Sequence, residues 1–217
     1  KDNDMYNLVL QNDTNTLGYS QWFFYQIKNV KKGKYTFNII NLLKSNSLYK
    51  KGMQILVYSE KYTNENNIGW KRGCININYY KNGLYKFVGN RRRNLYTLSF
   101  TYVSEYDDDV VYFANSVPYT YTDLMIKLNK YHKDEKKYDF FFRKTLCETL
   151  AGNYLDYFTI NTSGILEKPV IVIMARVHPG ETVSSWIMNG VIDTLLGDTE
   201  TARYLRKKFI FKIIPML

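Results

Sequence analysis

His178 and Glu181 stand three residues apart in the stretch Ala175-Arg176-Val177-His178-Pro179-Gly180-Glu181-Thr182. A neutral imidazole and a carboxylate are both zinc ligands, and a catalytic zinc takes three protein ligands and keeps one position open for water. The pair therefore supplies two ligands of a three-ligand set. Between them, Pro179 fixes one backbone angle and Gly180 reaches angles closed to other residues, so the segment can bend and turn both side chains onto one ion. The spacing by itself is a weak signal. His132 and Glu135 repeat it in a lysine-rich stretch with no strand before it, where it reads as solvated surface. The plainer alternative for His178 is a histidine capping a helix start or hydrogen-bonded in a loop, and the flanking elements favour the metal.

Those elements are a strand and a helix. Val170 to Met174 is an unbroken, β-branched apolar run, too short for a helix. It predicts a strand buried on both faces, as in a parallel sheet covered by helices. From Val183 a helical period takes over, with Trp186, Ile187, Val191 and Leu195 as its apolar stripe. The junction between strand and helix is where open α/β sheets gather their reactive groups. Arg176 lies on the same turn, either supporting the ligands or reaching a substrate carboxylate.

The rest of the second half fits an α/β pattern. Pro118 marks a boundary, and a helix follows with Tyr121, Leu124, Met125, Leu128 and Tyr131 on one stripe, capped by Thr120 or Thr122. Residues 132–138 read as a lysine-rich loop. Residues 140–149 and 157–160 read as strands, with Gly152-Asn153 turning between them. Asp198 is the expected cap of another helix carrying Ala202, Leu205 and Lys208, and Phe209 to Ile214 is a final apolar strand. The alternation argues for parallel strands with helices.

Residues 1–117 look different. Tyr96, Leu98, Phe100 and Tyr102 alternate with smaller residues, as do Tyr35, Phe37 and Ile39, and Ile75, Ile77 and Tyr79, each a half-buried strand. Lys32-Gly33, Lys51-Gly52, Asn82-Gly83 and Gly89-Asn90 are the turn signals between them. Strands at this spacing predict an antiparallel β-sandwich. Trp22-Phe23-Phe24-Tyr25 points to both faces of a strand and reads as core. Arg91-Arg92-Arg93 reads as a hairpin loop, solvated or in contact with an acidic partner.

Composition narrows the class. With 217 residues the chain can bury a substantial core, and 17% aromatic residues, 21 of them Tyr, favour a β-rich half. A net charge of +10 draws acidic partners without choosing among tails, nucleic acid and anionic membrane. No run of eighteen apolar residues is present to span a bilayer, and no glycine-rich phosphate loop is seen. Cys74 and Cys147, in different halves, read as free buried thiols of a reducing cytosol. The chain reads as a piece of a longer protein.

The stretch from Ala175 to Thr182, followed by Ser185-Trp186 and a helix and then by Phe209 to Leu217, closely resembles the cytosolic carboxypeptidases, zinc metallopeptidases of the carboxypeptidase A-like superfamily. Segments upstream extend the likeness over nearly the whole chain: Gln21 to Tyr25, Tyr35 to Asn41, Tyr79 to Asn82, Pro118 to Tyr121 and Leu146 to Asn153. The resemblance implies a β-sandwich domain at 1–117, then the opening part of a zinc carboxypeptidase α/β domain at 118–217, incomplete at its C-terminal side. It implies one Zn2+ held by His178 and Glu181. The third ligand, the basic residues for the substrate carboxylate and the catalytic glutamate are expected beyond Leu217. The implied reaction is removal of C-terminal glutamate from acidic protein tails, glutamylated tubulin among them, in the cytosol or on microtubules. Nucleic acid and membrane are not expected partners. As it stands the fragment is expected to be inactive. The alternatives are a non-catalytic basic module that binds acidic tails or microtubules, and a hydrolase of small acylated amino acids.

Overall fold

A computed structural model describes residues 4–13, 16, 18–20, 22–132, 139–162 and 167–217. The chain divides into two compact units, Lys1–Val117 and Pro118–Leu217.

The first unit holds β1 (Asp4–Leu8), β2 (Phe24–Val30), β3 (Gly33–Leu42), β4 (Ile55–Ser59), α1 (Glu60–Asn66), β5 (Lys71–Gly73), β6 (Ile75–Val88), β7 (Arg91–Ser104) and β8 (Asp109–Ala114). Two four-stranded sheets, β1-β3-β7-β6 and β2-β8-β4-β5, face a common core. Phe37, Ile39, Leu98 and Phe100 come from the first sheet, and Ile55, Val57, Val111 and Phe113 from the second, all fully or almost fully buried. The alternation seen along β3 and β7 is the cause, since every second side chain of a strand points to the same face.

Four details depart from expectation. The sandwich is not wholly antiparallel, because β1 runs parallel to β3. Asn82-Gly83 does not turn the chain: it lies inside β6, where the pairing with β7 shifts register and Gly83 takes a φ of 80°. A positive-φ residue accommodates a bulge as readily as a turn. Arg91, Arg92 and Arg93 are not loop residues but the first three of β7, paired with Val88, Phe87 and Lys86, because Gly89 and Asn90 alone make the hairpin turn. Finally, α1 interrupts the strands, nucleated by Ser59, whose hydroxyl accepts from the Tyr62 N–H at 3.0 Å and donates to the buried Asp109.

The second unit holds α2 (Tyr121–His132), β9 (Phe141–Glu148), β10 (Tyr154–Ile160), β11 (Val170–Met174), α3 (Thr182–Leu196), α4 (Glu200–Lys208) and β12 (Ile210–Ile214). Its sheet has the order β11-β12-β10-β9. Only β11 and β12 are parallel; β10 is antiparallel to both of its neighbours. The sheet is therefore mixed rather than parallel, because the Gly152 turn joins β9 to β10 as a hairpin. One sheet face, with Phe158, Ile160, Phe211 and Ile213, packs with Leu124 and Leu128 of α2 and Met188, Ile192 and Leu195 of α3.

Thr120 caps α2 reciprocally with Asp123: the Thr120 N–H and hydroxyl both donate to the Asp123 carboxylate at 2.7 Å, and the Asp123 N–H returns to the Thr120 hydroxyl at 3.1 Å. The cap of α4 is Thr199, not Asp198; Asp198 instead accepts from Arg203 at 2.7 Å. Arg206 rather than Lys208 is the buried residue of the last turn of α4, its guanidinium donating to the carbonyls of Leu195 and Gly197 at 2.5 and 2.7 Å. A fork of donors can satisfy the carbonyls at a helix end, which an ammonium does less well. Cys74 is half-buried, packed against the core of the first unit, but Cys147 is exposed on β9. Residues 133–138, which hold most of the second histidine–glutamate spacing, lie outside the described residues. Among those described, no helix is long and apolar enough to cross a membrane.

Candidate metal-binding turn

The turn begins where β11 leaves its partner. Register along β11 and β12 runs from Val170 beside Ile210 to Met174 beside Ile214. One more residue is held on each side, through Ala175 N–H to the Ile214 carbonyl and Leu217 N–H to the Ala175 carbonyl, both at 3.1 Å. At Arg176 the backbone switches to the left-handed region, with φ 56°. A residue with a side chain is rare there, and persists where its surroundings over-determine it.

Arg176 itself supplies much of that constraint. Its N–H donates to the Ser184 hydroxyl at 3.0 Å, and that hydroxyl donates to the Glu181 carbonyl at 2.7 Å. Nε donates to the Pro179 carbonyl at 2.7 Å. Nη1 donates to the Tyr119 carbonyl and the Ser185 hydroxyl, each at 3.2 Å. The Glu181 N–H closes the turn onto the His178 carbonyl at 3.0 Å. One guanidinium thus ties the middle of the turn to the first turn of α3 and to the segment before α2. Partial burial lowers its pKa from the ordinary arginine value while the nearby Tyr119 works the other way; a guanidinium stays charged through any such change.

His178 and Glu181 ride on this braced turn, and both are exposed. Glu181 is the N-cap residue of α3, yet its carboxylate makes no capping hydrogen bond. The helix start favours a negative charge at this place, and no capping bond occupies the side chain. Neither residue belongs to an ion pair among the described residues, where the pairs are Lys127–Asp193, Arg143–Asp156 and Arg203–Asp198. An imidazole and a carboxylate left uncommitted on one short turn suit a zinc ion in donor chemistry. The set stops at two: no group of three His, Cys, Asp or Glu side chains that would hold a metal occurs among the described residues.

The supporting elements differ from expectation in two ways. β11 is the edge strand of its sheet and is not buried on both faces; Val170, Val172 and Met174 are 55%, 60% and 54% exposed. Only the row of Ile171 and Ile173 meets the core. The inward stripe of α3 is Thr182, Ser185, Met188, Ile192 and Leu195, while Trp186 and Ile187 are 45% and 64% exposed. Polar residues begin that stripe because Ser185 receives the guanidinium. Trp186 instead lies edge-on to the Tyr119 ring, 5.1 Å between centroids at 84°. Sequence reasoning assigned no role to Ser184, Ser185 or the Tyr119 carbonyl. The first two carry a legible signal, since hydroxyls in a first helical turn bond the local backbone; a carbonyl 57 residues upstream carries none.

This arrangement is similar to known proteins. Residues 131–217, which contain the turn, match the zinc carboxypeptidase family. The fold is that of solved metallo-carboxypeptidases: one from Burkholderia cenocepacia superposes with a TM-score of 0.74 at 19% identity, over 100% of this chain and 51% of that one. Another, from Pseudomonas aeruginosa, gives 0.69 at 18% identity, over 99% of this chain and 50% of that one. Nearly the whole chain resembles, more particularly, the cytosolic carboxypeptidases. Cytosolic carboxypeptidase 2 of Xenopus tropicalis is 43% identical over 98% of this chain, and cytosolic carboxypeptidase 3 of Mus musculus 41% identical over 98%. The chain spans 22% and 21% of those two relatives.

Proposed function

We propose that this chain is part of a zinc-dependent metallocarboxypeptidase that removes C-terminal glutamate from acidic protein tails. In this reading residues 1–117 are an N-terminal β-sandwich domain, and 118–217 are the opening part of the peptidase domain. His178 and Glu181 are two of the zinc ligands. The observation that carries the reading is an uncommitted imidazole and carboxylate on a turn braced by Arg176, within the stretch that matches the zinc carboxypeptidase family. Zinc, when bound, lowers the pKa of its water and polarises the scissile carbonyl. What this chain does for that chemistry is positional. Arg176 holds the Pro179 carbonyl and the start of α3, so that the two ligand side chains share one rigid frame. Its committed donors favour this bracing role over contact with substrate.

Glutamylated tails, tubulin's among them, are the proposed substrates, with the net charge of +10 favouring encounter with anionic chains. The cytosol is the proposed compartment, in keeping with the names of the relatives. The test uses the intact parent protein. His178→Ala is expected to lose both bound zinc, read by elemental analysis, and release of glutamate from a C-terminally glutamylated peptide. A variant that keeps its zinc and full activity would overturn the ligand assignment. The 217-residue chain alone is expected to bind zinc weakly and to release no glutamate, because two ligands do not make a catalytic site.

A further inference from the structure

The first unit concentrates positive charge far from His178 in the sequence and in a different compact body. Residues 1–117 carry 16 Lys and Arg against 9 Asp and Glu, which is +7 of the chain's +10. Two adjoining clefts of about 320 and 550 Å³ share Ser20, Lys44 and Asn46. Lys44, Lys51, Arg92 and Arg93 line them, and no Asp or Glu does among the described residues. The ion pairs found among those residues all lie in 118–217, so among the described residues no carboxylate pairs with these cations.

The cations stand on a fixed base. The Tyr79 hydroxyl donates to the Lys44 carbonyl, and Lys50 Nζ donates to the Ser45 carbonyl at 3.1 Å. Lys50 also stands 5.6 and 6.0 Å over the rings of Tyr79 and Tyr96, which stack on each other. On the β6–β7 hairpin the Arg92 guanidinium lies 4.0 Å over the Tyr85 ring. Lys86 reaches the Asn12 side chain and the carbonyl of Gly18, a residue lining the larger cleft, at 3.2 and 3.4 Å. Ordering long cationic side chains before a ligand arrives reduces the entropy lost on binding.

We infer that this cleft is a seat for an acidic peptide segment, its carboxylates held by Lys44, Arg92 and Arg93. Arginine forks match carboxylate geometry, and unneutralised charge in a cleft focuses the field on an arriving anion. A single-stranded nucleic acid fits less well. Such ligands stack successive bases on open aromatic faces; among the described residues lining the cleft, Tyr79 and Tyr96 stack on each other beneath Lys50, and Tyr19 alone is an exposed ring. The inference uses neither His178 nor Glu181.

A fluorescein-labelled hexaglutamate peptide, titrated with the 217-residue chain in metal-free buffer at low salt, tests it by anisotropy. The wild-type chain is expected to bind. Arg92→Glu/Arg93→Glu is expected to weaken binding at least tenfold, whereas Lys207→Glu/Lys208→Glu, the same change in net charge on α4, changes it less than twofold. Arg92→Gln/Arg93→Gln, milder for folding, is expected to weaken binding severalfold. Absence of binding by the wild-type chain, or equal weakening by the two charge reversals, would overturn the seat. A single-stranded oligonucleotide that binds more tightly than the peptide and loses affinity in the same variants would overturn the peptide assignment. Because no metal is present, the result is independent of the zinc reading.

Discussion

Residues 1–117 enclose their core between two sheets, while residues 118–217 cover one face of a single sheet with helices and leave much of the other open. Phe113 in β8 is fully buried and meets the rings of Tyr25, Phe37 and Tyr102 at 5.2, 5.1 and 5.3 Å. Val172 in β11 is no less apolar a choice, yet it is 60% exposed. The difference teaches that an apolar strand reports what can be buried and not what is buried within a given chain. The candidate ligands sit on the open unit, at the end of its edge strand; the basic cleft sits on the closed one.

Substitutions in the two units put the contrast to the test. Phe113→Ala is expected to cost about 3–5 kcal/mol, the range for large-to-small changes in a packed core. Urea unfolding reads it, and a loss near zero would mean that the first unit is not the closed body described. Arg176→Ala removes three side-chain hydrogen bonds and relieves nothing at a left-handed position, with an expected cost of about 1–3 kcal/mol. Its signature is local: the Glu181 and Ser184 amides exchange hydrogen faster while β3 and β7 stay protected. Uniform acceleration would deny the turn its dependence on Arg176.

The two thiols sharpen the contrast chemically. Burial pushes the Cys74 thiol up to about 12, so at pH 8 it is almost wholly protonated and a poor nucleophile. Exposed Cys147 is expected to react with a disulfide reagent at pH 8 at least a hundredfold faster, and comparable rates would show the first unit open. Asp193 gives a smaller, pH-dependent effect. Its partial burial works to raise the pKa, but hydrogen bonds from Lys127 and Tyr131 outweigh that and hold it below the ordinary carboxylate range. A depressed pKa gives stability that is present above the unfolded value, about 4, and is lost as pH falls through the folded one. Asp193→Asn is therefore expected to destabilise slightly at pH 7 and not at pH 2. The smallest effect belongs to Val172→Ser, expected within about 0.5 kcal/mol because its side chain is mostly in solvent; a cost like that of Phe113→Ala would mean the outer face is covered after all.

Much of the secondary structure was legible. The period-2 rows of β3 and β7 and the apolar stripe of α2 follow from side-chain geometry, which acts within a few residues. Errors gathered where two local solutions cost nearly the same. Asn82-Gly83 suits a turn or a bulge, Asp198 and Thr199 are both good caps, and the arginines after Gly89-Asn90 tolerate loop or strand. Only pairing with β7, the bond to Ala202 and the hairpin register decided among these.

For the candidate site, sequence alone determined the residue types, their spacing and a Pro-Gly bend between a strand and a helix. It did not determine which way the strand's faces look or what holds the bend. Those were set by tertiary structure, through the Tyr119 carbonyl brought beside Arg176, the Ser185 hydroxyl turned inward and the position of β11 at a sheet edge. Local preferences operate over a turn or a pleat, whereas a guanidinium finds its acceptors, and a strand its neighbours, only once distant segments have packed.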